Sequence, residues 1–137
     1  MIFIDTNVVS ETLRRAPDEK VLRWLERHDA ELALCTVVIA ELAFGIEKIR
    51  PDERAPRLAA GLDEWRRRFA GRVFPFAEDA ALVYGQIMGN AIRRGRPMSA
   101  PDGMIAAIAR THTCPLATRN TADFDGAGIA LIDPWRE

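Results

Sequence analysis

Four acidic residues stand where their carboxylates could act together. Asp5 follows the apolar run 1–4, Glu41 lies in an apolar helical segment, Asp102 begins a helix, and Asp123 lies in a turn-rich segment. Carboxylates that crowd together repel, which raises their pKa values unless a divalent cation neutralises them. Oxygen ligands without a nearby Cys or His set favour Mg²⁺ or Mn²⁺ over zinc. Such sites serve phosphoryl transfer, in which the cation activates a water and offsets charge on the leaving oxygen.

Each acid also has a simpler interpretation when it is considered alone. Asp5 fits a helix N-cap or an Asx turn, and Asp123 fits a turn residue. Glu41 projects from an apolar helix face, where a salt bridge to another helix would satisfy it. Asp102 completes a capping box that begins at Ser99. The case for chemistry therefore depends on whether the fold brings the four acids together.

The elements that must position these acids alternate between strands and helices. Short apolar runs predict buried strands at 1–4, 32–35, 73–76, 116–118 and 129–132. Helices are predicted at 8–15, around 21–25, from 36 toward 51, around 58–69, at 79–94, and from 99 or 100 onward. This order predicts an α/β sandwich with a mainly parallel central sheet flanked by helices. Chemistry in such sheets lies beyond the carboxyl ends of the strands, which points to Asp5 and to the segment after Thr118.

Length and composition are those of an ordinary globular chain. The 137 residues, 48% of them apolar, predict a single domain over 1–137. No apolar run approaches the roughly 20 residues that span a bilayer, and no signal segment opens the chain, so we expect a cytoplasmic protein.

Cys35 and Cys114 lie apart in apolar segments and are predicted to be buried free thiols. The net charge of −1 argues against a protein that coats nucleic acid, but it is compatible with local basic patches on the surface.

Four stretches carry a resemblance to a known family. The sequence resembles the PIN-domain family, and specifically the VapC-type toxins of bacterial toxin–antitoxin pairs. The stretches follow the family's order and read IFIDTNV at 2–8, TVVIAELAFG at 36–45, PDGMIAA at 101–107, and LATRNTADF at 116–124. Asp133-Pro134-Trp135 resembles the usual ending of one subgroup. The resemblance implies a PIN-like three-layer sandwich and an Mg²⁺-dependent endoribonuclease that hydrolyses RNA with a metal-activated water, with Mn²⁺ able to replace Mg²⁺.

The resemblance also assigns roles to particular residues. Asp5, Glu41, Asp102 and Asp123 would be catalytic, with Asp5 and Asp102 as metal ligands. Family members place the fourth acid either where Asn120 stands or where Asp123 stands, and we predict Asp123. The neighbours expected to bind substrate or organise the site are Thr6, Asn7, Arg119 and Asn120.

The expected partners are an RNA substrate, a cognate antitoxin and a second copy of the chain. The apolar stripes at 21–25 and 58–69 could supply exposed surface for the protein contacts. The alternative function is a non-catalytic, DNA-bound regulatory partner of an antitoxin. Arginine clusters at 66–68 and at 93, 94 and 96 could contact phosphate, although such runs are more typical of a solvated helix face.

Two other phosphate enzymes do not fit. A haloacid-dehalogenase-type phosphatase needs a second acid where Asn7 stands, and a receiver domain needs a lysine late in the chain. The lysines are Lys20 and Lys48, both in the first half.

Overall fold

Five parallel strands form the centre of the molecule, in the order β3-β2-β1-β4-β5. The computed structural model describes all residues, 1–137. Every pair of neighbouring strands is parallel, so the sheet is wholly parallel where the sequence predicted a mainly parallel one. The strands are β1 (Ile2–Ile4), β2 (Leu32–Cys35), β3 (Val73–Phe74), β4 (Leu116–Ala117) and β5 (Leu131–Ile132).

Six α-helices flank the sheet, and the predicted α/β sandwich is confirmed. They are α1 (Thr6–Thr12), α2 (Glu19–His28), α3 (Thr36–Ile49), α4 (Ala55–Arg68), α5 (Glu78–Arg93) and α6 (Ala100–Thr111). The first helix begins two residues earlier and ends three residues earlier than predicted. Two short 3₁₀ helices, Asp29–Glu31 and Thr121–Phe124, were not predicted, because three or four residues carry no periodic signal. No helix is both long enough and apolar enough to cross a membrane.

The apolar stripes of α2 and α4 belong to the core, so the prediction that they supply exposed surface is wrong. Trp24 and Phe69 are almost fully buried, and of the stripe residues in α2 only Leu22 reaches the surface. Trp65 donates a hydrogen bond from Nε1 to Thr12 Oγ1 at 3.0 Å, which fixes α4 against the end of α1. Each helix packs its stripe against the rest of the fold, as expected in a layered protein. The large apolar side chains that are well exposed lie elsewhere, at Phe44, Leu82 and Ile92.

The two cysteines differ in environment. Cys35 is a buried free thiol as predicted, and burial raises its pKa to about 11. Cys114 is a free thiol but is only partly buried, so the prediction that it is buried is wrong. It lies in the turn between α6 and β4, where its Sγ contacts the carbonyl oxygen of His112 at 3.2 Å. The apolar residues around Cys114 suggested a core position, whereas the turn brings it to the surface.

Candidate active site

The sheet order creates a crevice between β1 and β4. The chain runs outward from β1 through β2 to β3 and then crosses to β4 on the other side of β1. Ligands of open α/β sheets bind at such a switch point, beyond the carboxyl ends of the strands. Asp5 directly follows β1 and Thr118 directly follows β4, and the Asp5 amide donates to the Ala117 carbonyl at 2.9 Å. The sheet therefore brings two segments more than a hundred residues apart to one edge.

Asp5 is held in this crevice by three donors. Its Oδ1 accepts from the Thr6 amide at 2.8 Å, so it does cap α1. Its Oδ2 accepts from the Thr118 hydroxyl at 2.7 Å and from Asn7 Nδ2 at 3.2 Å. Burial raises the pKa of Asp5, the nearby Glu41 charge adds to that rise, and the three hydrogen bonds oppose it. The carboxylate is only 4% exposed, so its orientation is fixed by the protein.

Glu41 reaches the same place from α3. Its Oε1 accepts a hydrogen bond from Thr6 Oγ1 at 2.5 Å, whereas its Oε2 has no hydrogen-bond partner within the protein. The salt bridge that could have explained this residue is absent. None of Asp5, Glu41, Asp102 and Asp123 forms a salt bridge with a basic side chain. The negative charge at this edge is consequently not neutralised by the protein.

Asp102 enters from the first turn of α6. Ser99 is the N-cap of α6 and accepts a hydrogen bond from the Asp102 backbone amide at 3.3 Å. The cap uses the backbone amide of Asp102, and a hydrogen bond between Ser99 and the Asp102 carboxylate opposes the rise of its pKa. Because Ser99 carries no charge, the carboxylate still has no basic partner, and the capping and chemical interpretations are compatible. Burial raises the pKa of Asp102 to about 6, and the charges of Asp5, Glu41 and Asp123 contribute to the rise.

One polar cavity of about 500 Å³ collects nearly all of the predicted site residues. Asp123 is the exception, because it lines a neighbouring cavity that shares Asp102 with the first. Asn120 lies in the main cavity, so the choice between Asn120 and Asp123 as the fourth site position stays a prediction. The main cavity is lined by Asp5, Thr6, Asn7, Ser10, Glu11, Arg14, Glu41, Asp102, Arg119, Asn120 and Trp135.

Several residues of the site were not predicted. Thr118 is fully buried, and its Oγ1 donates to Asp5 and accepts from Asn7 Nδ2 and the Asn120 amide, at 3.3 and 3.1 Å. The rule that points beyond the carboxyl end of β4 could have identified it, since it is the first residue there. Trp135, whose ring centre lies 5.1 Å from the Arg119 guanidinium carbon, comes from the end of the chain, where Asp133-Pro134-Trp135 resembles the ending of one subgroup but gave no reason to place the ring at the site.

The arginines at 66–68 and at 93, 94 and 96 do not line the main cavity, although Arg96 lines the neighbouring cavity together with Asp102 and Asp123. Apart from Arg93, they form surface ion pairs, as expected of a solvated helix face. The pairs are Arg66–Asp63, Arg67–Glu64, Arg68–Asp29, Arg94–Asp125 and Arg96–Asp125.

The donor set fits a magnesium ion better than a softer metal. No three acidic, cysteine or histidine side chains are grouped as a ready-made metal cage. Mg²⁺ does not require one, because it usually binds through one or two carboxylates and completes its shell with waters and substrate phosphates. Asp5 and Asp102 offer two carboxylates without basic partners, and the pKa of Asp102 is raised to about 6, first by burial and then by the charge of Asp5.

Comparison with known proteins identifies the family. The sequence profile of the PIN domain matches residues 2–128. The chain belongs to the PIN-domain family. The resemblance to its VapC-type toxins is also confirmed by two curated relatives. Toxin FitB of Neisseria gonorrhoeae is 38% identical, with all of both chains covered. VapC ribonuclease Y4jK of Sinorhizobium fredii is 39% identical, with 98% of each covered.

Solved structures of PIN-domain proteins share the whole fold. The crystal structure of FitAcB from Neisseria gonorrhoeae matches with a TM-score of 0.90 and 37% identity over the full length of both chains. Complexes of the VapBC type are among the further structural neighbours. The three-layer PIN-like sandwich predicted from the motifs is therefore confirmed.

Proposed function

We propose that this PIN-domain chain is an Mg²⁺-dependent endoribonuclease and the toxin of a toxin–antitoxin pair. The observation that carries the proposal is the convergence of Asp5, Glu41 and Asp102 on one polar cavity without a basic partner among them. Relatives named ribonuclease and toxin, which match this chain over its whole length, support the same conclusion. Mn²⁺, which favours the same oxygen ligands, is expected to substitute for Mg²⁺.

Three of the four acids have a defined part in this proposal. Asp5 and Asp102 would hold Mg²⁺, which supplies a Lewis acid that lowers the pKa of water and offsets charge on the leaving oxygen. Because Asp102 has a pKa of about 6, cation binding below about pH 6 is expected to displace a proton from its carboxylate. Glu41 keeps its Oε2 free and could serve as a further ligand or accept a proton from the attacking water.

The remaining residues would orient these acids and the substrate. Thr6 links the acids, because its amide donates to Asp5 and its hydroxyl donates to Glu41. Asn7 donates to Asp5 and, through its Oδ1, accepts from the Arg119 amide at 3.3 Å. Arg119 forms no salt bridge and stacks on Trp135, so its charge is available for an RNA phosphate. Asn120 would help to organise the site.

An apolar groove beside the acids is a suitable place for the antitoxin. The groove has a volume of about 570 Å³ and includes Phe44, which is 68% exposed, and Met104. It also contains Thr6 and Glu41, which line the acidic cavity as well. A segment of an antitoxin that filled this groove would therefore extend to the acids and block access to them.

A second copy of the chain would pair best through α5. Leu82 and Ile92 are 71% and 68% exposed and lie on one helical stripe with Gly85 between them. The helix carries Glu78 near its beginning and Arg93 at its end. Two α5 helices packed antiparallel about a two-fold axis would set each Glu78 beside the Arg93 of the other copy. We place the dimer contact on α5 and not on the apolar stripes of α2 and α4, because those stripes are buried in the core.

A cleavage assay on the purified chain tests the proposed function. Activity on RNA should disappear with EDTA and return with Mg²⁺ or Mn²⁺, and the products should carry a 5′-phosphate and a 3′-hydroxyl. A single 2′-deoxynucleotide placed directly 5′ of the scissile phosphate should still permit cleavage, because the attacking group is water and the 2′-hydroxyl is a spectator.

The alternatives give different results in the same assay. Full activity in EDTA, or a 2′,3′-cyclic phosphate product, would remove the metal-dependent hydrolysis and the roles of all four acids. A chain that never cleaves RNA but binds DNA with its antitoxin would instead support the regulatory alternative. A mock preparation from cells that lack the gene is the control for contaminating ribonucleases, so that the activity of the Asp5→Asn variant remains a test of the role of Asp5.

A further inference from the structure

The acidic cavity extends along α1 to a second charged pair. Thr6 and Ser10, one helical turn apart on α1, both line the cavity, and beyond them it is lined by Glu11 and Arg14. The helix rises about 1.5 Å per residue, so Ser10 lies roughly 6 Å along the axis from Thr6. The Glu11–Arg14 pair consequently borders the path that a bound strand would take away from the acids.

Glu11 is a buried carboxylate that the proposed hydrolysis does not use. It is only 4% exposed, and a carboxylate at that depth requires hydrogen-bond partners. Its Oε2 accepts from the Asp18 amide at 2.8 Å, at the N-cap of α2, which fixes the turn between α1 and α2. Both of its oxygens accept from Arg14 Nη1, at 3.2 and 3.1 Å. Glu11 thus joins the turn to the guanidinium at the edge of the cavity.

Arg14 uses only one of its nitrogens in this pair. Its Nε and Nη2 have no partner within the protein, and the side chain is 64% exposed. The Nε–Nη2 edge of a guanidinium presents two parallel N–H donors, the arrangement that binds a phosphate bidentately. The turn that Glu11 fixes accounts for its burial, whereas the free edge of Arg14 faces solvent without a partner within the protein.

We propose that Arg14, positioned by Glu11, binds a backbone phosphate of the RNA strand next to the scissile one. This inference rests on the proposed function, because it assumes that RNA occupies the cavity. Arg119 lines the same cavity, where its guanidinium lies over the Trp135 ring, so the two arginines would bind separate phosphates of the strand. A contact to phosphate positions the strand and carries no sequence information. Arg14 therefore contributes to affinity for any RNA that enters, and Glu11 acts as a positioning residue.

The test compares Arg14→Gln with Arg15→Gln, a matched change at the next exposed arginine, which lies outside the cavity. Binding of a short fluorescein-labelled single-stranded RNA of mixed sequence is measured by anisotropy between about 50 and 200 mM salt. Arg14→Gln should weaken binding about tenfold, the loss expected for one charge-assisted contact. It should also reduce the slope of log Kd against log salt by about 0.7, the value for one phosphate of a single strand. Arg15→Gln should match the wild-type chain in both measurements.

An Arg14→Lys variant separates charge from geometry. It keeps the pair with Glu11, so it folds even if Arg14→Gln loses stability, and it should restore the salt slope but not the full affinity. In cleavage, Arg14→Gln should raise KM and leave kcat within about twofold of wild type, as expected when uniform binding is removed.

Equal affinities and salt slopes for the variants at 14 and 15 would overturn the inference, as would a fall in kcat with no change in Kd. The wild-type cleavage assay decides the proposed function separately, because binding is measured without Mg²⁺ and without turnover.

Discussion

Replacing Asp102 by Asn should make the metal-free protein more stable while abolishing cleavage. Asp102 shares its edge of the sheet with Asp5 and Glu41, and none of the three has a basic partner. In the absence of a cation, the charged form of Asp102 is therefore a cost to the folded state. Asparagine has nearly the same shape and leaves the Ser99 cap intact, because the cap uses the backbone amide. The same change removes a proposed Mg²⁺ ligand.

The size of the effect follows from the pKa of Asp102. A rise from 3.8 to about 6 corresponds to about 3 kcal/mol. Solvent around this half-buried carboxylate screens the interaction and leaves about 1–2 kcal/mol. Because the folded pKa is the higher one, the folded state binds more protons between about pH 4 and pH 6, and the stability that Asp102 contributes there is lost as pH rises through 6. The advantage of the Asn variant should thus be small near pH 4 and complete above about pH 6.

Thermal unfolding in EDTA at several pH values measures this directly. At about 3 °C per kcal/mol for a chain of this size, the variant should melt roughly 3–6 °C higher than wild type at neutral pH. Glu19→Gln is the control, because it removes an acid from the first turn of α2, away from the carboxylate cluster. It should be neutral or slightly destabilising. Added Mg²⁺ should raise the Tm of wild type only. No gain for Asp102→Asn at neutral pH, or an equal gain at pH 4, would refute the raised pKa of Asp102, which arises first from burial and then from the neighbouring carboxylates.

Four further changes test other parts of the structure. Asp5→Asn should abolish cleavage with an unchanged circular dichroism spectrum, and normal turnover by the purified variant would exclude Asp5 as a metal ligand. Thr118→Val removes a donor that lowers the pKa of Asp5, so the acidic limb of the activity profile should move to higher pH and unfolding should become easier by about 1–3 kcal/mol. Phe44→Glu should prevent co-purification with the antitoxin and keep cleavage intact, whereas Leu82→Glu should leave antitoxin binding unchanged and shift sedimentation toward the monomer. Retention of the antitoxin by the Phe44 variant would mean that it binds elsewhere.

The strands, the helices and two of the acids could be predicted because their signals are local. A continuous apolar run marks β1, and the residue that follows it, Asp5, must lie at the carboxyl edge of the sheet. The position of Asp102 can be inferred because Ser99 and Pro101 mark the first turn of α6, to which Asp102 belongs. For Glu41 the sequence indicated a carboxylate in need of a donor, and the structure supplies Thr6.

The rest depends on contacts between distant residues, which a single sequence does not reveal. Glu11 looks like a surface position on α1, and its burial becomes evident only when the turn at Asp18 folds back on it. An amphipathic stripe shows which side of a helix is apolar but not what covers it, so the stripe that contains Trp65 was mistaken for exposed surface. Phe44 is the opposite case, because it is exposed in the structure although its helix is apolar on several sides. The sequence alone cannot tell which side of that helix faces solvent.

The order of the strands has a consequence for how the chain is made. Asp5 and Glu41 are translated early, but β4, the strand that lies beside β1, is translated only after α5 and α6. Synthesis proceeds at about 5–20 residues per second, so several seconds separate the synthesis of Glu41 from that of Thr118. During that interval Asp5 lacks Thr118, and its oxygens have only local donors. A ribosome that makes this chain therefore carries no assembled acidic crevice until translation is nearly finished, which leaves time for an antitoxin already present to meet the completed fold.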